Sequence, residues 1–395
     1  MEFSFTDEQE VFRREVRDFL ENELPQGWVG PILEEMWARD DYWAMHRSMA
    51  QKFGAKKWLS LTWPEKYGGL ARSHMDQLIL CDEIFYHRAP GLDGYGVKLL
   101  APTLIQFGTD EQKKEHLGPI ARGERFWCEG YSEPEAGSDL ASVKTRAVRK
   151  GDHYVINGQK VWTTGAHRAD WIFLLARTNP DAPKKHQGLS FFLADMKTPG
   201  ITVRPILDTL GRPCPNEVFF EDVVVPQGNL VGGENNGWLV ANALLGYERS
   251  GIEIVAANRR FFDDILGYSK ETKVNGRLMI HDPVVRQKLG EMAIELEVAR
   301  FMSYRVAWMQ SRGQSPIAES AMAKVFLTEG MGHLAQVGRQ LLGHYGILTE
   351  GSPWASLGGT VVEQSISAQT WQVLGGTSEI LRTVVGTMGL GLPRS

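Results

Sequence analysis

Hydrophobic and polar positions divide the chain into three stretches of different period. From Phe5 to Leu24, the apolar residues Phe12, Val16, Phe19, Leu20 and Leu24 fall on one helical face. Thr6 and Gln9 form an S/T-x-x-Q capping box at its start, and Pro25 ends it. Helical spacing returns from Trp43 to Phe53, from Met75 to Tyr86, and after Thr109, where Gln112 completes a second capping box ahead of Leu117. From Phe126 to about Gly232 the pattern changes to strands, as in Tyr154-Val155-Ile156, Ile172-Phe173-Leu174-Leu175 and Val223-Val224-Val225, and Asn157-Gly158 reads as a type I′ hairpin turn. After Gly237 long helices resume, with Asp282-Pro283 and Ser315-Pro316 as N-cap and N1-proline starts. A helix from Pro283 presents Leu289, Met292, Ala293 and Leu296 on one face, as bundle helices do. The expectation is a helical N-terminal domain over 1–125, a β-barrel-like middle domain over 126–235 and a C-terminal helical bundle over 236–395.

Composition narrows the function classes. The 395 residues carry 43 Lys and Arg against 48 Asp and Glu, a formal net charge of -5, so the chain lacks the basic excess of a general nucleic-acid binder. Cys81, Cys128 and Cys214 lie far apart without a CxxC or a zinc-spaced His pair, which supports neither a disulfide framework nor a metal site. The N-terminus has no basic n-region or apolar h-region, and no apolar run approaches about 18 residues, so the expectation is a cytoplasmic protein without a membrane span. The 42 glycines, 12 tryptophans and 17 phenylalanines suggest close backbone approach and large flat surfaces.

Four stretches have the residue types for chemistry. Tyr131-Ser-Glu-Pro-Glu-Ala-Gly-Ser-Asp139 is a turn, through Pro134 and Gly137, that displays Ser132 and Ser138 hydroxyls and backbone N–H groups; a cofactor edge or ordinary Asx and Ser capping would explain it. Asn157 to Thr164 reads as a tight turn leading into a strand, with Trp162 and a hydroxyl on opposite faces, suited to a planar heterocycle or to a core. Glu248 follows Leu244 by four residues near an apolar helix face, where burial would raise its pKa toward that of a general base; Arg249 beside it also allows a structural ion pair. Gly375-Gly376 precedes Thr377, an N-cap candidate whose helix start offers N–H donors to a ligand or simply begins a helix. The sequence has no strand-borne G-x-G-x-x-G, no P-loop and no G-x-S-x-G elbow.

Taken in order, these stretches resemble the acyl-CoA dehydrogenase family over essentially the whole chain. The motifs are Trp63-Pro-Glu-Lys-Tyr-Gly-Gly69, Phe107-Gly-Thr-Asp-Glu-Gln-Lys113, Tyr131 to Asp139, Asn157 to Thr164 and Gly376-Thr-Ser-Glu379. The resemblance implies an α+β fold with a helical N-terminal domain, a middle β-domain and a C-terminal four-helix bundle, and FAD shared across a subunit interface. It implies oxidation of an acyl-CoA thioester to the trans-2-enoyl-CoA, as in β-oxidation: a carboxylate takes the α-proton and the β-hydrogen leaves as hydride to flavin N5. By the same resemblance Tyr131 and Ser132 line the flavin edge, Trp162 stacks near the ring and Thr164 reaches the N5 region. Gln340, Gly343, Thr377 and Glu379 complete the cofactor set, while Ser138 and Arg249 face the acyl-CoA. An electron-transfer flavoprotein is the implied electron acceptor.

Two departures refine the resemblance. Many members place the catalytic Glu directly before the C-terminal Gly-Thr-Ser, where this chain has Gly375; a minority place it on the bundle helix before an Arg, as in Glu248-Arg249 here. Glu248 is therefore the expected base, Glu253 and Glu379 are fallbacks, and Gly375 keeps a backbone N–H for the thioester carbonyl. The usual Arg-x-x-Phe-Gly appears as Thr272-Lys-Val-Asn-Gly276, and the Gln-x-x-Gly-Gly-x-Gly pattern survives as Gln340-Leu-Leu-Gly343-His-Tyr-Gly346. Such degeneracy resembles the branch acting on sterol side-chain or pimeloyl-like CoA esters. It leaves open a homotetramer or dimer, a heterotetramer with a related subunit, and a cofactor-poor structural subunit. An acyl-CoA or nitroalkane oxidase would share the fold. Asp93 to Val97 are expected near the acyl pocket.

Overall fold

The computed structural model describes residues 4–30, 37–247 and 251–393. The elements run α1 (Asp7–Glu23), α2 (Asp40–Ala55), α3 (His74–Tyr86), a π-helical segment Gly94–Leu100, α4 (Ala101–Phe107) and α5 (Asp110–Ala121). Strands follow as β1 (Trp127–Gly130), β2 (Arg146–Lys150), β3 (His153–Lys160), β4 (Trp171–Arg177), β5 (Leu189–Asp195), β6 (Ile201–Leu207), β7 (Pro213–Pro226) and β8 (Leu230–Val231). The remainder is α6 (Gly237–Tyr247), α7 (Ile252–Glu271), the hairpin β9 (Lys273–Val274) and β10 (Arg277–Leu278), α8 (Pro283–Ser311), α9 (Ile317–Leu342), α10 (Thr360–Trp371) and α11 (Ser378–Val384). Backbone contacts group residues 33–72 and 90–248 in one compact unit and residues 1–32, 73–89 and 249–395 in another.

In the first unit the strands form one sheet in the order β6-β7-β3-β2-β4-β5-β8, with β1 added parallel to β4. Tyr154 and Ile156 of β3, Ile172 and Leu174 of β4, Phe192 of β5, and Val218, Phe220, Val223 and Val225 of β7 make one buried core. The Asn157-Gly158 expectation needs correction. These residues lie inside β3, at a register shift between Ile156 and Gly158 where β7 carries an extra residue. The Asn157 amide donates to Asp222 Oδ1 at 3.0 Å and its oxygen accepts from Asp222 N at 2.9 Å, which ties down the bulge. A Cβ on Gly158 would lie 2.6 Å from the Thr145 Cα, so glycine is needed for the approach of two backbones. The β2–β3 turn is instead at Gly151 and Asp152.

The second unit is built around α7, α8, α9 and α10. Phe261, Ile265, Leu289, Met292, Leu296, Leu334, Val337 and Val361 form its core. Asp282 caps α8 by accepting from Val284 N and Val285 N ahead of Pro283, as its sequence indicates. Ser315-Pro316 differs: α9 begins at Ile317 with Pro316 itself in the N-cap position. The α1 capping box of Thr6 and Gln9 is present, and Phe12, Val16 and Leu20 are buried. The fully buried carboxylate of Asp82 on α3 pairs with Arg13 of α1 at 3.1 Å and Arg259 of α7 at 3.2 Å, and neighbouring Glu83 takes Arg17 at 2.9 Å. Asp82 is the carboxylate on which α1, α3 and α7 meet, and leaving a buried charge without its partner costs up to about 3–5 kcal/mol. No helix among the described residues is long and apolar enough to cross a membrane.

Candidate active site

In the sheet-bearing unit, β1 runs into the turn that starts at Tyr131. Glu133 and Ala136 exchange two backbone hydrogen bonds of 3.0 Å, which leaves Pro134 and Glu135 at an exposed tip, and Ser138 and Asp139 are also exposed. Ser132 is half-buried, and the Tyr131 ring packs edge-on against the buried Phe173 of β4 and Phe191 of β5. Tyr131 thus presents its backbone, rather than its ring, to the turn.

The segment after β3 is not the strand expected from the sequence. Trp162 has φ +60° and is 63 % exposed, so the predicted alternation of an indole and a hydroxyl across a strand does not occur. A left-handed backbone under a bulky residue costs about 1–3 kcal/mol and persists only where neighbours impose it. Val161 N donates to Ser132 O at 3.0 Å on one side; on the other, Thr163 N donates to Asn216 O at 3.0 Å and the Asn216 amide returns a bond to Thr163 O at 2.9 Å. Thr164 is half-buried, and Thr163 Oγ1 is buried with no hydrogen-bond partner among the described residues. The exposed indole offers a flat face beside two threonines and an exposed turn, a set of groups that fits a planar polar heterocycle.

Sequence reasoning missed what lies beneath this segment. Lys160 Nζ is fully buried and donates to Tyr131 O at 3.0 Å and to Glu133 Oε1 at 2.8 Å. Glu133 also accepts from Lys144 N and Thr145 N. Burial pulls Lys160 down to about 8, against the opposing effect of Glu133. For Glu133, burial favours the neutral acid, but Lys160 and the backbone donors outweigh it and hold the carboxyl below its ordinary value. Asp93, at the start of the π-helical segment, is buried and accepts from Tyr95 N at 3.1 Å and Trp127 N at 3.3 Å; burial raises it to about 7 despite those bonds.

In the bundle unit, Gly375 and Gly376 have φ of +65° and +100° and turn the chain into α11, where Thr377 caps by accepting from Ile380 N at 3.2 Å. A Cβ built on Gly375 meets nothing within 4 Å among the described residues. Lys324 of α9 donates to Gly376 O at 2.8 Å, and Arg382 pairs with Glu329 at 2.7 Å, fastening turn and helix to α9. Glu379 is exposed and Glu253 partly buried. Gln340 and Gly343 are exposed at the end of α9, and Gln340 Oε1 accepts from Lys288. Asn275-Gly276 forms the tight β9–β10 turn, with φ of +50° and +79°. Glu248 and Arg249 lie outside the described residues.

Family profiles for the acyl-CoA dehydrogenase N-terminal, middle and C-terminal domains match residues 6–124, 128–223 and 235–390. Acyl-CoA dehydrogenase FadE26 of Mycobacterium tuberculosis is 35% identical over 100% of this chain and 100% of its own. The chain belongs to the acyl-CoA dehydrogenase family. As a member it is an oxidoreductase acting on acyl-CoA, and acyl-CoA dehydrogenases are flavin-dependent. Among solved acyl-CoA dehydrogenase folds, the Tcur3481-Tcur3483 steroid ACAD superposes with a TM-score of 0.91 at 32% identity, covering 100% of both chains. The ChsE4-ChsE5 complex from Mycobacterium tuberculosis superposes with a TM-score of 0.90 at 35% identity, again over 100% of both chains.

Proposed function

We propose that this acyl-CoA dehydrogenase holds FAD and introduces the α,β double bond into a bulky, sterol-type acyl-CoA, with Glu248 as the base. The observation that carries the reading is Gly375: the position where many members have their catalytic Glu has no side chain and faces open space among the described residues, so a carboxylate from another element can act there. Glu248 takes the α-proton, and Arg249 beside it positions the substrate or tunes the carboxylate. The Gly375 N–H donates to the thioester carbonyl and stabilises the enolate-like charge. FAD, when bound, supplies the hydride acceptor. Tyr131 and Ser132 border it through their turn, Trp162 offers a stacking face and Thr164 a hydroxyl; Gln340, Gly343, Thr377 and Glu379 are the further cofactor-binding candidates. Ser138 faces the acyl-CoA. The division at 125/126 and 235/236 is the domain reading that accompanies this assignment, supported by the spans of the three family profiles.

The sterol-type substrate is supported by the steroid ACAD, whose likeness extends over the whole chain. A second reading has its own observation: the Arg and Phe of the usual FAD grip are replaced by the Thr272–Gly276 segment, which favours a chain that completes its cofactor site with a related subunit or serves it as a cofactor-poor partner. The likeness to the ChsE4-ChsE5 complex supports the heteromeric form. An electron-transfer flavoprotein in a cytoplasmic setting is the proposed acceptor. One experiment tests both readings: purify the wild type and Glu248→Gln, count FAD per chain, and follow anaerobic flavin reduction with a panel of acyl-CoAs. The expected result is that Glu248→Gln keeps FAD and acyl-CoA binding but loses reduction. Full activity of the variant sinks the base assignment, and one FAD per chain in isolation argues against the need for a partner.

A further inference from the structure

We infer that the buried Lys160–Glu133 pair is a positioning device that sets the two flavin-facing segments, 131–137 and 161–165, against each other; this rests on the FAD reading above. One ammonium reaches two acceptors on the same turn, Tyr131 O at 3.0 Å and Glu133 Oε1 at 2.8 Å. Between those acceptors Ser132 O takes the Val161 N–H at 3.0 Å. Three consecutive residues of the turn are therefore tied to Lys160, the last residue of β3, and to Val161 after it. Glu133 extends the tie to the segment entering β2 through Lys144 N and Thr145 N.

The next residue along is Trp162, in its left-handed conformation, and Thr163 is held by Asn216. The Cα–Cβ direction of Trp162 is thus set by a backbone fixed at both ends, while the indole itself is 63 % exposed. A buried ion pair is weak evidence for stability, because an apolar pair of similar volume often does as well. What an apolar pair cannot do is bond the Tyr131 carbonyl. Lys160 touches no reacting atom in this scheme and acts through Tyr131, Ser132 and Trp162.

The test uses the full chain as wild type, Lys160→Met, and Lys160→Met with Glu133→Gln. Amide hydrogen exchange is read over 131–137 and 161–165, together with thermal midpoint and FAD affinity by titration. Lys160→Met should raise exchange in both segments together and weaken FAD binding at least about tenfold. The double variant, which leaves no buried charge unpaired, should recover the thermal midpoint but neither the exchange protection nor the FAD affinity. A purely structural pair predicts that all three recover in the double variant, and that result overturns the inference, as does unchanged exchange at 131–137 in either variant. If the wild type itself binds no FAD, the FAD reading fails, and the exchange data still decide whether the pair locks the two segments.

Discussion

Gly375 allows the base assignment to be tested from the opposite side. Its φ of +65° lies where a residue with a Cβ is disfavoured by about 1–2 kcal/mol. No heavy atom among the described residues lies within 4 Å of a Cβ built there, so neither clash nor repacking adds to that cost. Gly375→Ala should therefore fold, with a thermal midpoint lower by a few degrees at roughly 2–4 °C or less per kcal/mol for a chain of this size. It also keeps the backbone N–H proposed to serve the thioester carbonyl. Gly375→Glu carries the same backbone cost and returns a carboxylate to the position many family members use. A general base contributes about 10²–10⁴ in rate, or about 2.7–5.4 kcal/mol. Anaerobic stopped-flow reduction of the bound flavin should fall by about that factor in Glu248→Gln, and adding Gly375→Glu should restore at least about tenfold of the loss. Two results refute the reasoning. If the double variant is no faster than Glu248→Gln, position 375 does not address the α-carbon. If Gly375→Ala alone fails to fold, the turn is packed rather than open.

Two further predictions concern strain and pH. Trp162→Gly removes the cost of a left-handed tryptophan, so it should hold or raise the thermal midpoint, by about 1 kcal/mol of stability, while weakening FAD binding; calorimetry and FAD titration on one preparation read the two opposite effects, and a loss of stability would show that the indole is a packing residue. Asp93 keeps its proton to about pH 7 in the fold because burial outweighs its bonds from Gly96, Trp127 and Tyr95, and nearby Asp170 adds to the rise. A solvated aspartate releases its proton near about 3.9, so the native state binds more protons across that window and stability falls as pH rises through it, by at most about 4 kcal/mol. Asp93→Asn should flatten this dependence between pH 5 and 8, which a urea midpoint series would measure.

The features read correctly from the sequence are those whose partners are close in the chain. The Thr6–Gln9 and Thr109–Gln112 boxes and the Asp282 cap each close within three residues, so donors and acceptors are visible together. Asn-Gly is less decisive, because it reports only that a left-handed residue is tolerated. At 275–276 it makes the tight turn of β9 and β10, whereas at 157–158 it accommodates a bulge whose extra residue is on β7, about sixty positions later. The sequence of β3 alone contains nothing that distinguishes the two. Likewise, Asp82 and Glu83 look like ordinary helix-face charges until Arg13, Arg17 and Arg259 arrive from two other helices.

Lys160 is the instructive case, because a signal for it was present. Tyr154 and Ile156 are core residues of β3, and strand alternation carries the same face through Gly158 to Lys160. The bulge leaves that parity intact, since the extra residue belongs to β7. A lysine on the inward face of a strand must either disturb the core or find a carboxylate, because an unpaired buried ammonium is too costly to keep. The carboxylate is Glu133, inside the very turn whose serines drew attention as a cofactor edge. Read together, the inward lysine and the acidic residue between Ser132 and Pro134 connect the two motifs physically: the same pair that satisfies a buried charge also determines where Trp162 stands. In this family member the candidate residues are legible by type, and the proposed alignment of Trp162 rests on a charge whose inward face the alternation of β3 already implies.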